Sequence, residues 1–200
     1  MRRRRFITIL GSGAAWPLIA QAQQSERMRR IGLLMSTVQT DPEEIASVAA
    51  FVQTLEGAGW IPGRNVTVDY RWAEGRDEAY AELAAEFVRR KVDVIVTTGT
   101  DAALAVKKTT SEIPVVFAAA GDPVGTGLVA SLAHPGGNVT GLSNEQTDLA
   151  GYRLELLREV IPSVRRVALL SNIGSPLILL EMKVAQEAAP KLGLEVFRLG

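Results

Sequence analysis

The chain of 200 residues has no cysteine and a single histidine, His134. Disulfides are therefore excluded, and a structural zinc site, which needs several nitrogen or sulfur ligands, goes with them. A lipid-modified N-terminal cysteine is excluded for the same reason. The lack of cysteine does not argue against export, because a domain of this size can be held by its core alone. No G-x-S-x-G occurs, so the nucleophile elbow of an α/β hydrolase is missing. His134 stands in the turn His134-Pro135-Gly136-Gly137 with no nucleophile and carboxylate arranged around it as a triad. No run of apolar residues reaches the roughly 20 that a spanning helix needs.

Basic residues are concentrated in one place. Lys and Arg number 22, as do Asp and Glu, but Arg2-Arg3-Arg4-Arg5 stand together before Phe6-Ile7-Thr8-Ile9-Leu10 and an apolar stretch to Ala20. This is the layout of an export signal over residues 1–22, with an arginine pair suited to the twin-arginine route and cleavage expected after Ala20-Gln21-Ala22. The expected mature protein is periplasmic and, once the signal is gone, not stably inserted in a membrane. Without those four arginines, 18 basic residues face 22 acidic ones, a net charge of −4. That balance argues against nucleic acid as a partner, since phosphate backbones are bound by clustered Lys and Arg.

Strand and helix signals alternate along the rest of the chain. An apolar strand, Arg30 to Met35, ends in Ser36-Thr37. Asp41-Pro42-Glu43-Glu44 then has a capping aspartate, a proline suited to the first helical position and acids at the positive helix end. Ile45, Val48, Phe51, Val52 and Leu55 recur at helical spacing and predict one buried face ending at Gly57-Ala58-Gly59. The alternation of Val66, Val68 and Tyr70 with Thr67, Asp69 and Arg71 predicts a strand from 65 to 71 with one face exposed, as at a sheet edge. A helix is expected over 77–91, a strand over 92–96, a turn at Thr97 to Asp101 and a helix over 102–110. Val115 to Ala120 reads as a strand buried on both faces. It stops at Gly121-Asp122-Pro123, which should feed a short helix closed by His134-Pro135-Gly136-Gly137 before an extended run resumes at Asn138.

This alternation defines an α/β fold with a doubly wound parallel sheet and right-handed crossovers. After Gly141 the pattern restarts: a polar connector, a helix over 148–160, a strand over 164–170, a helix to about 191 and a strand from Leu194. The expected organisation is a complete first lobe over 23–141, a hinge connector over 142–146, and the start of a second, incomplete lobe over 147–200. A single domain whose last units extend the first sheet is the alternative.

Three pieces carry a family resemblance: Asp122-Pro123-Val124-Gly125, Leu128-Val129, and Pro135-Gly136-Gly137-Asn138-Val139-Thr140-Gly141. In these the chain resembles the periplasmic substrate-binding proteins of ABC transporters, specifically the tryptophan/phenylalanine-type branch, loosely from about Arg30 to the end. Thr100-Asp101-Ala102-Ala103 is similar to that family's Thr-x-Ala-Ala helix start. The segment Met35-Ser36-Thr37-Val38-Gln39-Thr40 departs from the pattern, lacking the Gln or Glu and the His-Pro pair common there. The resemblance implies a periplasmic-binding-protein-like fold closing on a small molecule, an amino acid or related organic anion. It also implies an ABC permease and its ATPase as transient partners. No cofactor and no catalysis are expected.

The candidate ligand-binding residues are those of the loops after the strands: Ser36; Thr98, Gly99 and Thr100; Gly121 and Asp122; Ser143 and Asn144; Ser171 and Asn172. Loops at the carboxyl ends of strands are where open α/β sheets hold ligands. Free N–H groups at a helix start can receive a carboxylate, and Asp122 can pair with an ammonium. The same residue types also serve as turn formers and helix caps, and capping of the following segment is the direct rival for Asp122. Gly125-Thr126-Gly127-Leu128-Val129-Ala130 matches the dinucleotide fingerprint in letters, but it follows the fourth strand instead of the first, so nucleotide binding is not expected. The two other functional classes left open are an exported α/β enzyme and the sensing domain of a signalling receptor.

Overall fold

The computed structural model describes residues 27–144, 146–172 and 174–199, so the expected export signal and its cleavage point lie outside the described residues. The elements follow in the order β1 (Arg29–Met35), α1 (Pro42–Gly57), β2 (Val66–Trp72), α2 (Ala79–Arg90), β3 (Val94–Thr98), α3 (Thr100–Thr109), β4 (Val115–Ala120), β5 (Val139–Ser143), α4 (Leu149–Val160), β6 (Arg166–Leu170), α5 (Pro176–Ala188), a 3-10 turn (Ala189–Leu192) and β7 (Glu195–Leu199). The first five strands form one sheet in the order β2-β1-β3-β4-β5, every pair parallel. The order reverses between β1 and β3, which is the switch point where such sheets open a crevice at their strand carboxyl ends. β6 and β7 form a separate parallel pair.

Each of the two sheets has its own core. In the first, Leu34, Ile95, Val115, Phe117 and Val139 of the strands meet Ala84 and Phe87 of α2 and Ala102, Ala103 and Val106 of α3. Phe87 is fully buried, and its ring lies where Gly32 leaves room: a Cβ there would stand 2.8 Å from the ring atoms Cδ1 and Cγ. In the second, Ala150 and Leu154 of α4 meet Ala185 of α5, Ala189 and Leu194. Among the described residues the last units therefore do not extend the first sheet.

Four expectations need correction. The strand β4 is not buried on both faces: Val115, Phe117 and Ala120 are buried, but Val116 is 37% exposed because it points away from α2 and α3. The apolar stripe of α1 is not a buried face either. No residue of this helix is buried and Ile45 is 53% exposed. An open groove of about 430 Å³ lies there, lined in part by Leu55, Trp60, Ile31, Val66 and Val94. The short helix after Pro123 is absent, and residues 123–127 form turns instead. Thr126 N–H reaches the Asp122 carbonyl at 3.1 Å, and Gly127, at φ 72°, then breaks the winding. The polar side of β2 is not a solvent face: Arg71 bonds Glu86 of α2 through Nε at 2.7 Å and lies 5.9 Å from the Phe87 ring centre. The edge position of β2 is as expected.

Candidate ligand-binding site

Parallel pairing brings the carboxyl ends of the five strands to one edge, and most of the candidate residues with them. After β1, the half-buried Ser36 is fixed by its backbone. Its carbonyl accepts Gly75 N–H at 2.8 Å, while Glu74 N–H donates to the Thr37 carbonyl at 3.1 Å. After β3, Thr98 is half-buried and Gly99 adopts φ 78° and ψ 162° as the residue preceding α3. A glycine there gives the helix no side-chain cap, so the N–H groups of the first turn have no side-chain acceptor from that position. The positive end of α3 is thus presented at the sheet edge.

The adjoining loop is built by Thr100. This residue is 4% exposed, and its Oγ1 accepts the Gly121 N–H at 2.9 Å. Gly99 N–H donates to the Ala118 carbonyl at 3.3 Å. Together these bonds fasten the end of β4 to the start of α3, so the Thr100 hydroxyl oxygen acts first as a scaffold. The β4–β5 register shifts between Phe117 and Ala120, with Ala119 at φ 56° and Asp122 at φ 31°. Two non-glycine residues in the left-handed region, three positions apart at a bulge, mark a backbone held in an uncommon shape by its surroundings.

Asp122 is half-buried and uses its carboxylate internally: Oδ1 accepts Gly125 N–H at 2.6 Å. The capping rival is therefore the contact that the structure displays. Ser143 ends β5 and pairs with Ala120, and the exposed Asn144 donates its N–H to the Ala120 carbonyl at 3.0 Å. Ser36, Thr98 to Thr100, Gly121, Asp122, Ser143 and Asn144 thus share one edge.

Ser171 and Asn172 belong to the other sheet, at the end of β6. Ser171 N–H donates to the Leu199 carbonyl at 3.1 Å. The Asn172 side chain accepts Gly174 N–H at 3.0 Å and donates from Nδ2 to Asp77 Oδ2 at 2.8 Å. Sequence reasoning missed its partner Asp77, just before α2, and the neighbouring Tyr80, Asp101 and Ser175. Asp101 was within reach, standing next to Thr100 in a helix start already singled out. Ser175 Oγ donates to Asp101 Oδ1 at 3.0 Å. The Tyr80 phenol is pushed up to about 12, mainly by burial, then by the charges of Asp77 and Asp101 and a hydrogen bond to Asp77. It stays protonated at ordinary pH, as a donor beside two carboxylates. Among the described residues no group of acidic or histidine side chains is placed to hold a metal ion.

A five-stranded parallel sheet of this order, with a second α/β unit set over its carboxyl edge, is the type I periplasmic-binding-protein-like architecture. The chain belongs to the family of ABC transporter substrate binding proteins, which it matches over residues 36–200. It is 29% identical over 176 residues to a tyrosine-binding protein of Clostridioides difficile strain R20291, covering 88% of this chain and 50% of that protein. A conserved domain protein of Vibrio cholerae O1 biovar eltor has a crystal structure similar at TM-score 0.76 and 29% identity, over 86% of this chain and 57% of that one. The ABC domain of Streptococcus pneumonia in complex with L-Trp is similar at TM-score 0.74 and 27% identity, over the same 86% and 57%. The chain spans about half the length of the tyrosine-binding relative. Among the described residues no helix is long and apolar enough to cross a membrane.

Proposed function

We propose that this chain is the solute-binding component of an ABC importer, exported to the periplasm, where it takes up an amino acid or related organic anion between two lobes. The observation that carries the reading is the start of α3, where Gly99 offers no side-chain cap and the positive helix end faces the crevice edge. A ligand carboxylate is the natural acceptor for those N–H groups. The acidic groups nearby, Asp101 and Asp77, supply partners for an ammonium. Relatives described as binding tyrosine and in complex with L-Trp favour an amino acid over other anions. On this reading residues 142–146 are a hinge strand, and the permease and ATPase of the importer are transient partners.

The test is a thermal-shift panel on the full chain with L-tyrosine, L-tryptophan, L-leucine and succinate. At a concentration a hundred times its dissociation constant, a ligand of the native state should add about 2.7 kcal/mol of stability. One or more amino acids should raise the midpoint while succinate leaves it in place. A panel in which neither an amino acid nor succinate stabilises the chain would overturn the proposal, and stabilisation by succinate alone would move the reading from an amino acid to an organic anion.

A further inference from the structure

The amino edge of the first sheet lies opposite the edge that carries the candidate ligand residues, and the open groove of about 430 Å³ beside α1 is set there. Its volume falls within the range of about 300–1,000 Å³ usual for small-molecule sites. The parallel register explains the floor. Val66 pairs with Arg29 and Val94 with Ile31, so the side chains at these four positions leave the sheet on one face. Gly32, the next residue of β1, points the other way, towards Phe87 of α2. Ile31, Val66 and Val94 thus give an apolar floor, with Leu55 of α1 and Trp60 as its wall.

The wall is fixed by hydrogen bonds. Trp60 N–H donates to the Leu55 carbonyl at 2.8 Å and closes the turn after α1. Asn65 clasps the same loop: its Oδ1 accepts Ile61 N–H at 2.7 Å and its Nδ2 donates to the Gly59 carbonyl at 2.9 Å. The Asn65 carbonyl in turn accepts Arg29 N–H at 3.0 Å, which ties the loop to β1. Trp60 lines the groove while 41% exposed.

The mouth of the groove carries an excess of positive charge. Asp93 is the one carboxylate among the lining residues. Its Oδ1 accepts Arg29 Nη1 at 3.1 Å and has Arg27 Nη2 at 3.7 Å, while its Oδ2 accepts the Arg30 N–H at 2.8 Å. The Arg30 guanidinium is committed elsewhere, donating to the Arg90 carbonyl at 2.9 Å. Two guanidinium groups therefore share one carboxylate, and a guanidinium offers further N–H donors in the fork that suits a second one.

We infer that this groove is a ligand site of its own, taking a carboxylate with an apolar tail: the tail lies on Ile31, Val66 and Val94 beside Trp60, and the carboxylate pairs with Arg29, with Arg27 as the second cation. The groove is at the other end of the strands from the start of α3, so this inference goes beyond the amino-acid reading and does not depend on it.

The probe is decanoate, held below its micelle concentration and titrated into the full chain, with binding read by calorimetry and by tryptophan fluorescence. Decanoate should bind saturably and change the emission; Trp60→Phe should remove the emission change while the heat of binding remains. Octanoate, two methylenes shorter, should bind on the order of tenfold more weakly, since each buried methylene is worth about a factor of four. Decyltrimethylammonium, with the same tail and the opposite charge, should bind more weakly than decanoate. Arg29→Gln should weaken decanoate about fivefold, with the urea midpoint confirming that the variant folds. The comparison of probes needs no variant and stands even if Arg29→Gln does not fold. The site is refuted if decanoate does not bind saturably, if octanoate or decyltrimethylammonium binds as tightly, if the emission change survives in Trp60→Phe, or if folded Arg29→Gln binds decanoate as the parent does.

Discussion

Replacing Gly141 even by alanine should be costly. It sits in β5 opposite Phe117 of β4, and its φ is not positive, so the demand is for space rather than for glycine's freedom of backbone. A Cβ at this position would lie 2.0 Å from the Phe117 carbonyl oxygen and 2.6 Å from its ring atoms Cδ2 and Cγ. Ordinary carbon-to-carbonyl approach is about 3.3 Å, so the strands would have to part by more than about 1 Å. The oxygen is backbone in a paired strand, and no rotamer change can move it aside. Forcing extra volume into packed structure costs about 1–3 kcal/mol, and a weakened ladder bond adds about 1 kcal/mol. Against this stands about 0.5–1 kcal/mol from removing glycine's entropy in the unfolded chain. Gly141→Ala should therefore destabilise by about 2 kcal/mol, read as a lower urea midpoint at unchanged slope. Gly57→Ala is the internal control: at the last residue of α1, a Cβ meets nothing within 4 Å, and the variant should match or exceed the stability of the parent. A Gly141→Ala variant within about 0.5 kcal/mol of the parent would show that β5 gives way freely, and would refute the reasoning.

Two further outcomes follow from single contacts. Asp41 accepts Glu43 N–H at 2.9 Å and Glu44 N–H at 3.2 Å at the start of α1, so Asp41→Ala should cost about 1 kcal/mol in urea unfolding; no loss would mean that α1 is held by other means. The bond from Arg71 first, then that from Arg90, holds the Glu86 carboxyl down to about 2 against an ordinary 4.5. Its contribution is complete above about pH 4.5 and disappears as the pH falls through about 2. The side chain is 27% exposed, so screening leaves about 1 kcal/mol rather than the full shift. Unfolding free energy measured from pH 2 to 5 should fall less steeply for Glu86→Gln than for the parent, and parallel curves would sink the assignment.

The fold was largely legible because its elements obey one period each. Ile31 to Met35 and Val115 to Ala120 read as strands, and Leu83, Phe87 and Val88 fall on a helical stripe. What failed was the environment of each face. Val116 and the stripe of α1 are apolar, yet they stand beside open space, and a hydrophobic letter does not say whether a neighbour arrives to cover it. The turns after Pro123 failed for a local reason. Glycines 125 and 127 and the Asp122 carboxylate offer a closed loop that outcompetes one short helix with little to stabilise it. Arg71 failed in the opposite sense: a charged residue on an edge strand looked solvated, but Glu86 gave it an inward partner.

The site was legible as a set of loops and less so as a set of roles, because serine, threonine, asparagine and aspartate have one chemistry for two purposes. Asp122 illustrates the division. Its Oδ1 holds Gly125 N–H, and a Cβ on Gly125 would fall 2.0 Å from Oδ2, so the carboxylate is folded over its own turn. A ligand ammonium would have to compete with that turn, whereas a ligand carboxylate at α3 meets a helix start with no side-chain cap to replace. On the proposed reading, the anion end of the ligand is therefore set by the Gly99 and Thr100 backbone, with Thr100 Oγ1 anchoring the neighbouring loop. The ammonium end depends on carboxylates that are free to turn. Asp77 and Asp101 are already engaged by Asn172 and Ser175, so a ligand that recruits either must first loosen a bond between the units. Binding and closure would then be coupled through the same two side chains, and Asp101→Asn should change affinity and lobe separation together.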